Sequence, residues 1–177
     1  MNLWRRGRIP QVIEREQDPY GRKAKAIDLY SRNWLFIDHE SQERLAKTTL
    51  LIAGTGLGSV IATLAVRVGF QRFIVVDGDR VEVSNLNRQA FYRRHLGVNK
   101  ASATSELIGD IVPHAAVELV PDLVTIANVR QFVAGADIAV NTIDLDSEVF
   151  LELNRTALAA GKPVLFPINL GWGGALL

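Results

Sequence analysis

The amino-acid sequence predicts an α/β fold in which a doubly wound, mainly parallel sheet carries helices on both faces. Short apolar runs bounded by Gly, Pro or polar residues recur along the chain and alternate with helical patterns of about ten residues. A glycine-rich segment follows the first of these runs, and polar residues follow several others. Because parallel strands end at one edge of a sheet, we expect a ligand site at that edge.

The segment 49–79 is the centre of this prediction. Its apolar runs predict strands over 50–53 and 73–76, and the spacing of apolar residues over 58–68 predicts the helix between them. The loop before the helix contains Gly54, Gly56 and Gly58. Such a strand, glycine loop, helix and strand form a mononucleotide-binding unit, with phosphate expected at the helix N-terminus.

This segment allows two other interpretations. Residues 48–66 carry no charge and are long enough for a membrane span, but their three glycines and five hydroxyl side chains argue against one. An NAD-type Rossmann fold would have glycine where Ser59 stands. A glycine loop alone identifies no particular nucleotide.

Composition limits the classes of function. The formal net charge is +1, so no strong field attracts DNA or an anionic membrane, and the absence of cysteine excludes disulfides, thiolate zinc sites and a cysteine nucleophile from this chain. Residues 1–22 predict a flexible basic arm without the apolar region of a secretory signal, so a cytoplasmic location is expected. Residues 23–177 predict one domain.

The remaining elements follow in order. Helices are predicted over 23–32 and 41–45, on either side of an apolar cluster at 34–37; residues 80–99 predict loop and short helix; then come helix 100–111 (beginning at Asn99 or Lys100), strand 117–120, helix 125–133, strand 137–141, helix 148–160 capped by Gly161, and strand 164–168.

The predicted strand ends bring together the glycine loop and six polar side chains: Asp77, Asn85, Arg88, Gln89, Lys100 and Asp144. Asp77 lies nineteen residues after Gly58, a spacing suited to a carboxylate that accepts from ribose. Arg88 and Lys100 would donate to phosphates, and Asp144 would hold Mg²⁺. Each has a structural alternative: Arg88 a surface arginine, Lys100 a first-turn helix residue, and Asp144 or Asp146 the N-cap of the next helix.

Three motifs resemble the ThiF/MoeB/HesA adenylyltransferases, the bacterial relatives of ubiquitin-activating enzymes. They are SNLNRQ after a D-x-D strand end, LGVNKA a dozen residues later, and SRNWLFIDHESQERL before the glycine loop. The resemblance runs from about Tyr30 to the C-terminus. It implies a Rossmann-like domain that uses ATP and Mg²⁺ to adenylate a carboxylate, often the C-terminal glycine of a small ubiquitin-like or sulfur-carrier protein, with release of pyrophosphate.

The resemblance also implies roles for individual residues. Gly56 would approach the phosphates, Asp77 would take the ribose, and Asp144 would bind the metal. Arg32 would be lent to the active site of the partner in a homodimer. The full set of cofactor-binding residues that it implies is Gly54, Gly56, Gly58, Asp77, Asp79, Ser84, Asn85, Leu86, Asn87, Arg88, Gln89, Lys100 and Asp144, with Arg32, Arg88, Lys100 and Asp144 acting in catalysis.

The sequence departs from the family pattern at two places. Ala53 and Thr55 stand where the family loop has glycine, and Asp144-Leu145-Asp146 replaces the usual Asp-Asn pair with its following arginine. The chain ends on an apolar run after GWGG, so we expect the nucleotide half of a longer enzyme, without its substrate-binding part. The alternatives are a non-catalytic nucleotide-binding or scaffold member of the family, or an NAD-binding Rossmann oxidoreductase. The oxidoreductase is disfavoured because the three histidines are scattered.

Overall fold

The computed structural model describes residues 29–170 and 173–176. The elements in chain order are α1 (His39–Lys47), β1 (Thr49–Ala53), α2 (Gly56–Val68), β2 (Arg72–Val76), two 3₁₀ turns (Val83–Asn85 and Arg93–His95), α3 (Lys100–Ile111), β3 (Ala116–Val120), α4 (Val129–Gly135), β4 (Ile138–Asn141), α5 (Glu148–Ala159), β5 (Val164–Leu165), β6 (Pro167–Leu170) and β7 (Gly173–Leu176). The arm predicted over 1–22 and most of the helix predicted over 23–32 lie outside the described residues.

Five parallel strands form the main sheet in the order β3-β2-β1-β4-β5, which confirms the predicted Rossmann-like α/β architecture. The chain winds outward from β1 to β3 and then returns to the other side of β1 with β4. The strand order therefore reverses between β1 and β4, and a crevice opens there at the carboxyl ends of the strands.

Helices cover both faces of this sheet because side chains alternate along each strand. In β1, Leu50 and Ile52 pack with α2 and α3, whereas Leu51 and Ala53 face the cluster that includes residues of α4 and α5. All four of these β1 side chains are buried, which confirms the prediction of a strand covered on both faces.

Two predicted elements differ from the structure. The helix predicted over 125–133 begins only at Val129, because the Asn128 carboxamide oxygen accepts from the Thr125 backbone N–H at 2.7 Å and holds a turn in place of the first helical residues. The strand predicted over 164–168 leaves the main sheet after Leu165. Pro167 has no N–H to donate to a ladder, and the chain enters the antiparallel hairpin of β6 and β7 instead.

The segment before β1 closes the C-terminal end of α2. The Tyr30 hydroxyl donates to the Val66 carbonyl at 3.0 Å, and the amides of Asn33 and Gln42 donate to the Val68 carbonyl at 3.2 and 2.9 Å. These bonds satisfy carbonyls that the last turn of a helix leaves without a partner. Burial raises the pKa of the Tyr30 hydroxyl.

The apolar cluster predicted at 34–37 lies on the surface of the single chain. Leu35 and Phe36 are 87% and 88% exposed.

Within the described part of the chain, no helix combines the length and apolar character that crossing a bilayer requires, so the membrane-span interpretation of 48–66 finds no support. Those residues instead form β1 and α2.

Candidate functional site

A cleft of about 280 Å³ opens at the carboxyl ends of β1, β2 and β4, where the strand order reverses. Its walls come from the glycine loop, the ends of β2 and β4, the segment between β2 and α3, and the turn after β3. The lining residues are Gly54, Gly56, Val76, Asp77, Asp79, Asn85, Arg88, Gln89, Lys100, Leu123, Val124, Thr142, Ile143 and Asp144. Six polar side chains that the sequence singled out therefore meet in one place.

Each of the three loop glycines is suited to its position for a different physical reason. Gly54 has φ of 81°, and a Cβ there would lie 2.8 Å from the Thr142 carbonyl oxygen. A Cβ at Gly58 would lie 2.8 Å from the Thr142 hydroxyl, so Gly58 serves close packing and does not line the cleft. Only Gly56 faces the cleft with little against it except the Gln89 amide, which leaves room for a ligand close to the backbone.

The Asp77 carboxylate joins the glycine loop to the end of β2. Its Oδ2 accepts from both the backbone N–H and the hydroxyl of Thr55, at 2.7 and 2.8 Å. Its Oδ1 accepts from the Asp79 N–H at 2.8 Å. Asp77 is 8% exposed and lines the cleft.

Lys100 is the first residue of α3 and points back toward the end of β2. Its Nζ pairs with Asp79 Oδ2 at 2.9 Å; the lysine side chain is 12% exposed and the aspartate side chain 64%. Asn99 fixes this geometry, because its side-chain amide donates to the Asp77 and Asp79 carbonyls while its carboxamide oxygen caps α3 at the Ser102 N–H. Lys100 thus sits in the first turn and lines the cleft as well, so its two interpretations are compatible.

The SNLNRQ segment contributes Asn85, Arg88 and Gln89 to the cleft, whereas its other three residues support the segment. One Arg88 nitrogen, Nη1, donates to the Ser84 carbonyl at 2.7 Å and to the Asn87 side chain at 3.1 Å. Leu86 packs against a small apolar cluster. The list of nucleotide-lining residues implied by the resemblance is therefore broader than the cleft: Gly58, Ser84, Leu86 and Asn87 do not line it.

Asp144 follows β4 on an exposed turn beside the cleft. The helix after it is capped by Ser147, whose hydroxyl accepts from the Val149 N–H at 3.2 Å. The N-cap interpretation of Asp144 or Asp146 is therefore wrong. Among the described residues, no cluster of three or more metal-ligating side chains occurs. Asp144 offers one carboxylate at the edge of the cleft.

A second cleft of about 300 Å³ adjoins the first. The two share Gly56, Arg88, Gln89, Thr142, Ile143 and Asp144. Beyond this common wall the second cleft is mostly apolar, with Leu57, Leu145, Phe150, Pro167 and Ile168. The two clefts therefore meet at Arg88 and Asp144. Asp77, Asp79 and Lys100 line only the first cleft.

Arg32 is exposed and does not line either cleft. Its neighbours Tyr30 and Asn33 bond to carbonyls at the C-terminal end of α2, whereas the first cleft lies at the N-terminal end. A helix of 13 residues is about 20 Å long, so Arg32 cannot reach the cleft of its own chain.

Sequence reasoning missed three side chains that assemble the site. Thr55 binds Asp77, and the Thr142 hydroxyl donates to the Gly54 carbonyl at 2.6 Å. The Ser59 hydroxyl donates to the Gly56 carbonyl and accepts from the Ala90 N–H, at 2.8 and 3.1 Å. The sequence distinguishes Thr55 and Ser59 only as departures from glycine motifs, and Thr142 only as a polar residue that follows the strand predicted over 137–141. Their partners lie on other elements, so the sequence carried no signal for these contacts.

The sheet order and the strand-end cleft define an α/β protein with a Rossmann-like fold. Residues 30–177 match the model of the ThiF family, and the chain belongs to that family. The suspected resemblance is thereby confirmed.

Named relatives are identical to this chain at about a third of the aligned positions. The sulfur carrier protein adenylyltransferase of Thermus thermophilus is 33% identical over 144 residues, which is 79% of this chain and 53% of that protein. The SAMP-activating enzyme E1 of Haloferax volcanii is 34% identical over 146 residues, 80% and 54% of the two chains. The chain thus spans about half the length of these relatives.

A solved structure shows the same fold. The Escherichia coli tRNA N6-threonylcarbamoyladenosine dehydratase TcdA in complex with ATP superposes with a TM-score of 0.75 at 26% identity, covering 79% of this chain and 58% of that one. Relatives of this chain therefore bind ATP. The names of these relatives indicate different substrates. The Thermus thermophilus protein is named for a sulfur carrier protein, and TcdA is named for a modified adenosine of tRNA.

Proposed function

We propose that this chain carries the nucleotide site of an ATP- and Mg²⁺-dependent adenylyltransferase that activates a carboxylate as an acyl-adenylate and releases pyrophosphate. The observation that carries the proposal is the meeting of Arg88, Lys100 and Asp144 beside Gly56 in one strand-end cleft of a ThiF-family chain. A scaffold without activity would have no use for this combination.

The lining of the first cleft offers suitable groups to the base, the ribose and the phosphates of ATP. Leu123 and Val124 give it an apolar wall for a base, and Asp77 and Asp79 offer carboxylate oxygens to a ribose. The N-terminal turn of α2 presents backbone N–H groups and the positive end of the helix dipole, which favour phosphate. Arg88 and Lys100 add two cationic donors at the same place.

The donor set fits a magnesium ion that arrives with the nucleotide. Mg²⁺ is commonly held by one or two carboxylates together with substrate phosphates and water, and Asp144 supplies one such carboxylate. A bound Mg²⁺ would neutralise charge on the phosphate oxygens. Asp146 stands on the same exposed turn and is the nearest further carboxylate in sequence.

The reaction needs no nucleophile from the protein. An oxygen of the acceptor carboxylate attacks the α-phosphorus, the bond from that phosphorus to the bridging oxygen breaks, and pyrophosphate leaves with the electron pair. The residues of the cleft would hold the two reactants in line and stabilise the negative charge, with Arg88 and Lys100 on the phosphates. The sequence has no cysteine, so no thioester can form on this chain.

The second cleft is the place we propose for the acceptor. It meets the first cleft at Gly56, Arg88 and Asp144, where an attacking carboxylate would have to lie. Its apolar walls and single cation suit the C-terminal tail of a small ubiquitin-like or sulfur-carrier protein better than the phosphate backbone of an RNA. A tRNA base remains the second candidate, because TcdA shares the fold and acts on tRNA.

ATP–pyrophosphate exchange tests the proposal. Radioactive pyrophosphate should enter ATP only when Mg²⁺ and a suitable carboxylate are present, and peptides ending in Gly-Gly should be compared with tRNA that carries threonylcarbamoyladenosine. Calorimetry provides the companion measurement: ATP–Mg²⁺ should bind, and NAD should not, because Ser59 replaces the fingerprint glycine and packs against Gly56 and Ala90. Tight binding of NAD without binding of ATP would refute the proposal.

A further inference from the structure

Thr55 stands where the motif implied glycine, and its side chain points away from the open face of the loop. It is fully buried, and its hydroxyl donates to Asp77 Oδ2 at 2.8 Å. A carboxylate only accepts, so the hydroxyl must be the donor in this contact. The Thr55 backbone N–H donates to the same oxygen at 2.7 Å. The side chain therefore bonds to Asp77 and does not line the cleft.

Thr55 immediately precedes α2, and this position makes the hydrogen-bond partner of its hydroxyl informative. Thr55 is the N-cap residue, and a threonine there usually accepts from a backbone N–H of the first helical turn. Here the hydroxyl makes no capping hydrogen bond. Helix stability alone therefore does not account for the contact, and the hydroxyl serves the carboxylate instead.

The hydrogen bonds of Asp77 leave it little freedom. An ionised carboxylate has about four lone-pair positions. Thr55 fills both positions on Oδ2, and the Asp79 N–H fills one on Oδ1. One position on Oδ1 remains, and Asp77 lines the first cleft. Asp77 can therefore accept a hydrogen bond from one further hydroxyl group, at Oδ1.

We propose that Thr55 is a positioning residue that aims the last acceptor position of Asp77 at a single ribose hydroxyl, and so sets the preference of the site for ribonucleotides over deoxyribonucleotides. The inference rests on the proposed function only in that ATP must bind. The second ribose hydroxyl falls to another group of the cleft, and the exposed Asp79 carboxylate is the nearest candidate in the chain.

Calorimetry with ATP, 2′-deoxy-ATP and 3′-deoxy-ATP tests this inference. A hydrogen bond to a charged acceptor corresponds to about 10- to 100-fold in affinity, so the wild-type chain should prefer ATP by that factor over one of the two analogues. Thr55→Val keeps the shape and removes the hydroxyl. It should bind ATP more weakly while its affinity for that analogue changes little, so the preference falls to within about threefold. Thr55→Ser should restore it.

The possible failures can be told apart. If Thr55→Val weakens ATP and both analogues equally and the preference stays, the hydroxyl serves only the loop structure and the inference is wrong. If the wild-type chain does not bind ATP at all, the proposed function fails first and the inference falls with it. Should Thr55→Val not fold, Thr55→Ala makes the same comparison without a β-branched side chain, with the thermal transition as the check on folding.

Discussion

Lys100→Met is the substitution that best separates a role in ATP chemistry from a role in folding. Methionine approximates the length and apolar stem of lysine and removes only the charged donor. In the structure the lysine contacts Asp79, whose side chain is 64% exposed. The Lys100 side chain itself is only 12% exposed, so the pair is partly buried; with one partner in solvent it contributes about 1 kcal/mol to stability, the upper end of the range for surface pairs. The melting temperature should therefore change by a few degrees at most.

The loss in the reaction should be much larger. Removing one preorganised donor to a charge that develops in the transition state costs about 2–4 kcal/mol, which corresponds to a rate about 30- to 900-fold slower. ATP–pyrophosphate exchange at saturating acceptor measures it. Lys47→Met is the control for the loss of one lysine charge, because Lys47 forms an ion pair with Glu43 at 3.4 Å in which both side chains are 73% exposed, and it lies in the last turn of α1 and does not line the cleft. It should leave exchange unchanged.

The outcome that would refute this reasoning is a melting temperature lowered in Lys100→Met with an exchange rate equal to that of Lys47→Met. Lys100 would then act only through its ion pair and the start of α3. Equal losses in both variants would point to a general effect of lost positive charge, which higher salt should abolish because it screens exposed charges.

Three further predictions concern other parts of the chain. Arg88→Gln should also slow exchange by about 30- to 900-fold with little effect on the thermal transition, which calorimetry and exchange together check. Mixing Arg32→Ala with Lys100→Ala subunits should restore some exchange activity if Arg32 serves a partner's cleft, and no recovery in verified mixed dimers would remove it from catalysis. Gly69→Ala should lower stability by about 2 kcal/mol or more, because φ is 132° and a Cβ would displace the Gln42 amide that donates to the Val68 carbonyl; the helical Gly109→Ala, with nothing within 4 Å, should be neutral or stabilising in the same urea titration.

The sequence predicted the sheet well because burial on both faces leaves a simple pattern. Leu50 to Ala53 and Phe73 to Val76 are uninterrupted apolar runs, and the structure places them as adjacent central strands. The helix predicted to begin at Thr125 begins at Val129 for a local reason. The apolar spacing continues upstream of Val129, but the Asn128 side chain offers the backbone a competing hydrogen bond that periodicity does not register.

The candidate site was predictable in its members but not in their contacts. Strand ends identified Asp77 and Asp144, because the parallel topology alone brings such residues to one edge. Lys100 reaches the same edge from the start of α3. The contact between Thr55 and Asp77 depends on the register that sets Ala53 beside Val76, which no local pattern reveals. The N-cap of α5 was uncertain for a similar reason, since Asp144, Asp146 and Ser147 are all suitable by type and only geometry selects the serine.

Helix α2 explains why this site and Arg32 cannot belong to the same active centre within one chain. Its N-terminal end lies under the glycine loop, where a phosphate would be attracted by free N–H groups. Its C-terminal end is covered by donors from Tyr30, Asn33 and Gln42, so the segment that carries Arg32 is fixed about 20 Å away. If that arginine contributes to catalysis, it must do so in a second copy of the chain. The exposed Leu35 and Phe36 beside it would then be covered by the same contact, so a dimer that forms should also protect these two side chains from solvent.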